Sequence, residues 1–170
     1  MTTLIQTGRA YAEALALAKY YLSNPLVQHV YLFGGVANGL SENDIDLIMV
    51  VDREIFEAYI DAINRQIASS QAANVLITGE KFTKWRTEII EELIKAPLSP
   101  RFAETELKYP VDALLFPPNW ENVKNEAKLS DLSWMLRKCF VGKLQKYARL
   151  YDESIEDFLP PRQKQHNQSK

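Results

Sequence analysis

Two aspartates are the residues of this sequence whose type and spacing most directly indicate chemistry. Asp44 and Asp46 stand on either side of Ile45, at the start of an apolar run. If this run is a strand, both carboxylates leave the same face, with Cα atoms roughly 6.5–7 Å apart. Two carboxylates this close repel each other unless a positive group lies between them, and magnesium binds to a few carboxylates together with phosphate oxygens. The spacing therefore predicts a metal site, whereas the alternative is a plain turn or cap.

A pair of glycines comes shortly before these aspartates. Gly34 and Gly35 end an apolar run, and residues 36–43 separate them from Asp44. Glycine has no Cβ, so the backbone can approach a ligand closely and turn its amides outward. If residues 36–38 open a short helix, the amides at its start form an anion site. A glycine turn for phosphate beside a carboxylate pair for metal is what binding of a metal–nucleoside triphosphate requires.

The elements that must position these residues are predicted from apolar runs and their punctuation. Three apolar runs indicate strands at Val27–Phe33, Ile45–Val51 and Val111–Phe116. Two glycines end the first of these runs, and two prolines end the last. A further short strand is predicted at residues 75–77. Helical spacing of apolar residues predicts helices over residues 7–22, 53–69, 82–96 and 131–151.

Individual residues of these helices are assigned as well. Asp52 is the expected N-cap of the helix that begins at Arg53. The buried stripe of the following helix is predicted to consist of Trp85, Ile89, Leu93 and Ile94.

Composition limits the fold and the metal chemistry. The 170 residues are 46% hydrophobic and 25% charged with a net charge of −2, which fits one domain and does not call for a nucleic-acid partner. A single cysteine and two histidines exclude a cysteine-based zinc site and a His-rich centre, so a metal must rely on carboxylates.

We therefore expect an α/β (α+β) fold, with a small mixed sheet and helices mostly on one side of it. The expected organisation is an α/β domain over residues 1–128, a C-terminal helix packed on it over residues 129–159, and a disordered tail over residues 160–170. The N-terminus lacks the basic region and apolar block of a secretory signal, and no good membrane span is present, so the expected location is the cytoplasm.

These motifs resemble the signature of the polymerase-β-type nucleotidyltransferase superfamily, in particular its minimal members. That signature is Gly-Ser, a spacer and Asp-x-Asp, with a third carboxylate on a later strand. Here it corresponds to Gly34-Gly35, Asp44-Ile45-Asp46 and Asp112. The resemblance covers residues 27–51 and 111–116. It implies a nucleotidyltransferase-like fold. Asp112 has a separate argument for a role, because an unpaired charge within an apolar run is costly to bury.

The resemblance also implies an activity and its participants. The three aspartates would hold two magnesium ions, and Gly34, Gly35 and Asn43 would contact the nucleotide. The reaction would transfer a nucleoside monophosphate from a nucleoside triphosphate, expected to be ATP, to a hydroxyl of a protein or a small molecule. Minimal members of the family are often accompanied by a helical partner protein, which is the further partner implied here.

One departure from the family pattern leaves a second function open. Gly35 stands where the family has serine, so the amide is kept and the hydroxyl is lost. A hydrogen bond to a charged partner is worth on the order of 1.5–3 kcal/mol, which corresponds to roughly ten- to a hundredfold in binding. The alternative is a catalytically weakened regulatory or antitoxin-like subunit on the same fold.

Basic and aromatic residues near the C-terminus have two interpretations each. A cationic series on the last predicted helix is a solvated face, or else a contact for a triphosphate or an RNA acceptor: Arg137, Lys138, Lys143, Lys146 and Arg149. Trp120 is expected to pack over the sheet edge rather than to stack on a base.

Overall fold

The computed structural model describes residues 2–39, 44–102, 106–122 and 144–162 of the chain. Within them the helices and strands follow the order α1 (Thr2–Leu22), β1 (Val27–Phe33), α2 (Gly34–Ala37), β2 (Ile45–Val51), α3 (Arg53–Ala72), α4 (Gly79–Ile94), β3 (Val111–Phe116), β4 (Arg149–Asp152) and β5 (Asp157–Phe158). A 3-10 turn at Trp120–Asn122 follows β3. The architecture is a mixed α/β fold, as the sequence predicts.

The described strands form one five-stranded sheet in the order β3-β2-β1-β4-β5. β1 is antiparallel to both β2 and β4, β2 is parallel to β3, and β4 is antiparallel to β5. Side chains on both faces of β2, such as Leu47 and Ile48, are fully buried. The parallel pairing of β2 and β3 brings the starts of these two strands to the same end of the sheet.

The three strands that carry the predicted site have the predicted bounds. The helices differ in length from their predictions. α1 begins at Thr2 and not at residue 7, and α3 runs on to Ala72. α4 begins at Gly79 because the Thr78 side chain accepts a hydrogen bond from the Lys81 backbone amide (3.1 Å). It ends at Ile94 because Lys95 takes a left-handed conformation.

Asp52 occupies the N-cap position of α3, as predicted, but its side chain does not form the capping hydrogen bond. Its Oδ1 instead accepts a hydrogen bond from Nε2 of Gln28 in β1 (2.5 Å). The hydrogen bond from Gln28 in β1 thus takes the place of a capping hydrogen bond within α3.

The short strand predicted at residues 75–77 is wrong. The segment between α3 and α4 begins with a turn, and its residues 75–78 belong to no helix and pair with no described strand. Val75 and Leu76 are exposed, Leu76 to 79%. An apolar run forms a strand only where a neighbouring edge accepts its hydrogen bonds, and none of the described strands lies beside this one.

The C-terminal helix predicted over residues 131–151, and the helical segment predicted over 129–159, hold at residues 144–147 but are wrong at the described residues that follow. Residues 144–147 are helical, but β4 and β5 follow. β4 pairs with β1 through Tyr31–Leu150 and Leu32–Arg149. The open side of β1 offers unpaired backbone groups, and a strand satisfies them where a helix cannot. The rest of that predicted helix, and all of the tail beyond residue 162, lie outside the described residues.

Among the described residues, no helix combines the length and the apolar character that crossing a membrane needs.

Candidate metal centre

Three carboxylates meet at one end of the sheet. Asp44, Asp46 and Asp112 each offer one oxygen, and these oxygens all lie within 4.8 Å of one another. All three residues are half-buried. The structure therefore brings together the three aspartates that the sequence singled out, on two separate strands.

Strand pairing explains this convergence. Asp46 and Asp112 are direct register partners across the parallel β2–β3 pair. The Ile45 backbone amide donates to the Pro110 carbonyl (2.9 Å), which fixes the register just before the aspartates. Ile45 itself is fully buried, so the alternation of the strand turns its two aspartate neighbours away from its own side. Asp44 directly precedes β2 and completes the group.

The glycine bend lies directly against the cluster. Gly34 has a φ of +77°, a left-handed conformation that glycine adopts without strain. A Cβ built on Gly34 would overlap the Asp46 carboxylate, with its Cγ at 3.1 Å. Only glycine fits both the backbone and the space, so the bend and Asp46 share one surface.

The phosphate-binding role of the glycines stays a prediction. Gly34 and Gly35 begin α2, which is only four residues long, and Gly35 is buried. Asn38 closes this turn, because its Nδ2 donates to the Gly34 carbonyl (2.8 Å) and its amide to the Gly35 carbonyl (3.1 Å). Asn43, the third residue expected to contact nucleotide, lies outside the described residues.

A buried arginine, which sequence reasoning missed, also belongs to the cluster. Nη2 of Arg86 in α4 donates to Oδ1 of Asp112 in a charged pair. The Arg86 side chain is only 5% exposed, whereas Asp112 is 34% exposed. The Arg86 guanidinium carbon lies 5.6 Å from the centre of the Phe82 ring. Its Nε is buried and has no hydrogen-bond partner among the described residues. Arg86 therefore supplies a buried positive charge to the cluster through its contact with Asp112.

Sequence reasoning misses the arginine because most of the predicted stripe of α4 lies one position before the buried residues. Ile94 is buried as predicted, but Trp85, Ile89 and Leu93 are only half-buried. The buried residues of α4 are Arg86, Ile90 and Ile94, at four-residue spacing. A single cation within an apolar stripe is the signal that would have found it, because a buried charge needs a partner on the facing element.

Burial perturbs one further group close to the arginine. Tyr59 in α3 is fully buried, and burial raises the pKa of its hydroxyl, while the nearby Arg86 charge acts in the opposite direction. The phenol therefore stays protonated at neutral pH and adds no negative charge near the aspartates.

The donor set fits a hard divalent cation. Mg²⁺ binds carboxylate oxygens at about 2.0–2.1 Å, so two oxygens on opposite sides of one ion are about 4 Å apart. The spread of the three aspartate oxygens, within 4.8 Å, is close to that span. The half-buried position leaves room for water or phosphate oxygens as further ligands. These aspartates could thus hold a metal ion.

The remaining candidates lie elsewhere or are structural. Trp120 is buried against Tyr31 and Phe116, with ring centres 5.5 and 5.4 Å apart, so it packs on the sheet as expected. Arg149 donates to the carbonyls of Leu159 (3.0 Å) and Phe158 (3.2 Å), which makes it a tie between C-terminal segments. Of the rest of the cationic series, Lys146 is exposed and the other three lie outside the described residues.

No family model, no curated protein and no solved structure matches this chain. The geometry of the site therefore carries the functional argument.

Proposed function

We propose that the protein is a magnesium-dependent nucleotidyltransferase. It transfers a nucleoside monophosphate from a nucleoside triphosphate, taken to be ATP, to a hydroxyl acceptor on a protein or a small molecule. The observation that carries this proposal is the convergence of Asp44, Asp46 and Asp112 from two adjacent strands beside a glycine bend. Carboxylates that could hold a metal ion beside a glycine bend are suited to phosphoryl chemistry.

Each residue has a distinct task in this proposal. Asp44 and Asp46 would hold both magnesium ions, and Asp112 would complete the site on the acceptor side. When bound, the ions supply charge neutralisation for the triphosphate and lower the pKa of the attacking hydroxyl. Because Gly34 has no Cβ, the space beside the Asp46 carboxylate would stay open for the triphosphate. The protein contributes mainly position and charge.

Nucleotide binding tests the proposal. ATP should bind to the wild-type protein in the presence of Mg²⁺, measured by isothermal titration calorimetry, and binding should collapse in EDTA. Asp46→Asn should weaken Mg²⁺-dependent binding by at least about tenfold, since loss of even an outer-shell partner commonly costs 10- to 100-fold. The matched control is Asp61→Asn, which makes the same change at an exposed position of α3 and should bind like wild type.

Transfer itself is measured with α-labelled ATP. Label should move onto an added acceptor protein or small molecule with release of pyrophosphate, and Asp112→Asn should reduce this transfer at least as strongly as it reduces binding. ATP binding that is indifferent to Mg²⁺ and to all three Asp→Asn changes contradicts the proposal.

A second candidate function is favoured by Gly35. Without the serine hydroxyl that the resembled family uses, the chain would be a regulatory or antitoxin-like subunit that binds nucleotide weakly. Mg²⁺-dependent ATP binding without transfer to any acceptor would favour this candidate. Gly35→Ser tests the missing hydroxyl, which should strengthen ATP binding by roughly ten- to a hundredfold if only that hydrogen bond is lacking. Transfer that occurs in Gly35→Ser but not in the wild-type protein would favour the second candidate.

A further inference from the structure

We propose that Arg86 is the resident counter-ion of the carboxylate cluster: it holds Asp112 in place without metal and lowers the affinity of the cluster for divalent cations. This inference rests on the proposed metal site and names what regulates its occupancy. Arg86 is thus a positioning residue, since it acts through Asp112.

The position of Arg86 is unusual for a cation. It occupies a place in the buried stripe of α4 beside Ile90 and Ile94, where an apolar side chain would ordinarily pack. Its side chain is only 5% exposed, and its Nη2 donates to Asp112, the one aspartate of the cluster that lies on β3. Desolvating a guanidinium is costly, so the negative charge of the cluster is what compensates for its burial.

The cluster needs a positive group whether or not metal is present. Carboxylate oxygens that gather within 4.8 Å repel one another. Arginine stays charged at every accessible pH, so its contribution does not switch off. The guanidinium of Arg86 therefore keeps Asp112 beside Asp46 in the metal-free protein.

Two effects on metal affinity oppose each other, and their balance sets the expected sign. Orientation of a ligand by an outer-shell partner raises affinity, commonly about 10- to 100-fold. A fixed positive charge beside the ligand lowers it, and the repulsion doubles for a divalent ion. The register of β3 with β2 already places the backbone of Asp112 beside Asp46, so only the direction of its carboxylate depends on Arg86. The charge effect should therefore dominate.

The test uses metal alone, without nucleotide. Thermal unfolding of the full chain is followed in EDTA and in increasing Mn²⁺, and Mn²⁺ affinity is measured by electron paramagnetic resonance. Arg86→Met should lower the melting temperature in EDTA by several degrees. Mn²⁺ should raise the melting temperature of Arg86→Met by more than it raises the melting temperature of the wild-type protein. The affinity of Arg86→Met for Mn²⁺ should be about tenfold higher than that of wild type. Arg86→Gln, which keeps an N–H donor but not the charge, gives the same comparison should Arg86→Met not fold.

The control and the double variant separate charge from packing. Lys84→Met removes an exposed cation from the same helix and should leave both the EDTA and the Mn²⁺ values at wild type. In Arg86→Met/Asp112→Asn, the extra Mn²⁺ response should disappear, because the freed carboxylate is gone. Lys in place of Arg at this position, Arg86→Lys, should return Mn²⁺ affinity toward wild type.

The outcomes distinguish this inference from the proposed function. An equal or smaller Mn²⁺ response in Arg86→Met and Arg86→Gln than in wild type overturns the inference, even if nucleotidyl transfer is observed. Absence of any Mn²⁺ response in wild type and all variants overturns it too and removes the metal on which the proposed function depends. The larger Mn²⁺ response and the about tenfold higher Mn²⁺ affinity expected for Arg86→Met, seen without any nucleotidyl transfer, contradict the proposed function alone.

Discussion

Gly34 bends the backbone at a φ of +77° directly against the Asp46 carboxylate. Two separate costs therefore oppose Gly34→Ala: a left-handed conformation for a residue with a Cβ, and overlap of that Cβ with Asp46. We expect a loss of about 2–4 kcal/mol in the free energy of unfolding. We also expect the Mg²⁺-dependent increase in melting temperature to vanish, because Asp46 must move away. Urea unfolding with and without Mg²⁺ measures both.

Gly39 offers a matched control for this prediction. It has a similar φ of +74°, but nothing described lies within 4 Å of a Cβ built there. Gly39→Ala should cost only the backbone strain, about 1–2 kcal/mol, and should keep the Mg²⁺ response. Equal losses and equal Mg²⁺ responses in the two variants would show that the space beside Asp46 does not matter.

Single residues of the site differ in how far the sequence could predict them. Asp44 and Asp46 stand two apart before an apolar run, and that spacing alone places them on one face. Asp112 is conspicuous as a charge in an apolar run. Arg86 could not be assigned in the same way, since a shift of one position along a helix moves a side chain by about 100° around its axis. Its partner Asp112 is 26 residues away, and only the packed fold joins them.

At the scale of elements, α1 fixes the chain just before β3 through a buried carboxylate. Glu13 is 2% exposed, and its Oε1 accepts the backbone amides of Lys108 (2.8 Å) and Tyr109 (3.1 Å). Its Oε2 pairs with Arg9 (3.2 Å). The next residue, Pro110, carries the carbonyl that binds β2. Glu13 thus helps to set the register that places Asp112.

Glu13→Ala should therefore weaken both the fold and the site. Two part-buried amides lose their acceptor, and an unsatisfied group costs about 1–3 kcal/mol when it is fully buried, so we expect a loss of about 2 kcal/mol in the free energy of unfolding. The Mg²⁺ response should decrease as the start of β3 loosens. Chemical unfolding and amide hydrogen exchange at residues 108–112 measure these effects.

The Arg53–Glu57 pair is the control for an ion pair at the same helical spacing. Its atoms are 3.4 Å apart and both side chains are at least half exposed. Glu57→Ala should change stability by less than about 0.5 kcal/mol and should leave Mg²⁺ binding unchanged. A cost for Glu57→Ala as large as that for Glu13→Ala would mean that the loss of an ion pair, and not the loss of an acceptor for two backbone amides, destabilises the Glu13 variant.

Elements were predictable where local signals and long-range pairing agree. The bounds of β1, β2 and β3 follow from apolar runs that end at glycine, at a helix start and at proline. β4 continues a helical pattern in the sequence, and only its pairing with β1, more than a hundred residues earlier in the chain, makes it a strand. Residues 75–77 show the reverse, because strand-forming residues without a neighbouring edge stay unpaired.

At the scale of the whole molecule, the half-buried Tyr11 and the buried Tyr21 join parts of the chain that are far apart in sequence. The Tyr11 hydroxyl in α1 donates to Asp157 in β5, and the Tyr21 hydroxyl donates to the Leu98 carbonyl after α4. α1 is thereby tied to the C-terminal strands at one end and to the segment that leads to β3 at the other. Both hydrogen bonds need a protonated phenol, so each is lost when its tyrosine ionises.

This dependence gives a prediction for alkaline solution. Burial, followed by the hydrogen bond to Asp157, raises the pKa of Tyr11 to about 12 from 10.0. Between these values Tyr11 has lost its proton in the unfolded chain but keeps it in the folded chain. The contribution of Tyr11 to the free energy of unfolding is therefore fully present below pH 10 and is lost as the pH rises through 12. Tyr11→Phe should reduce that slope by the equivalent of up to about one proton, measured by urea unfolding across this range. Tyr147→Phe, which removes an exposed hydroxyl, should retain the wild-type slope. An unchanged slope in Tyr11→Phe would mean that the bond to Asp157 does not hold the proton.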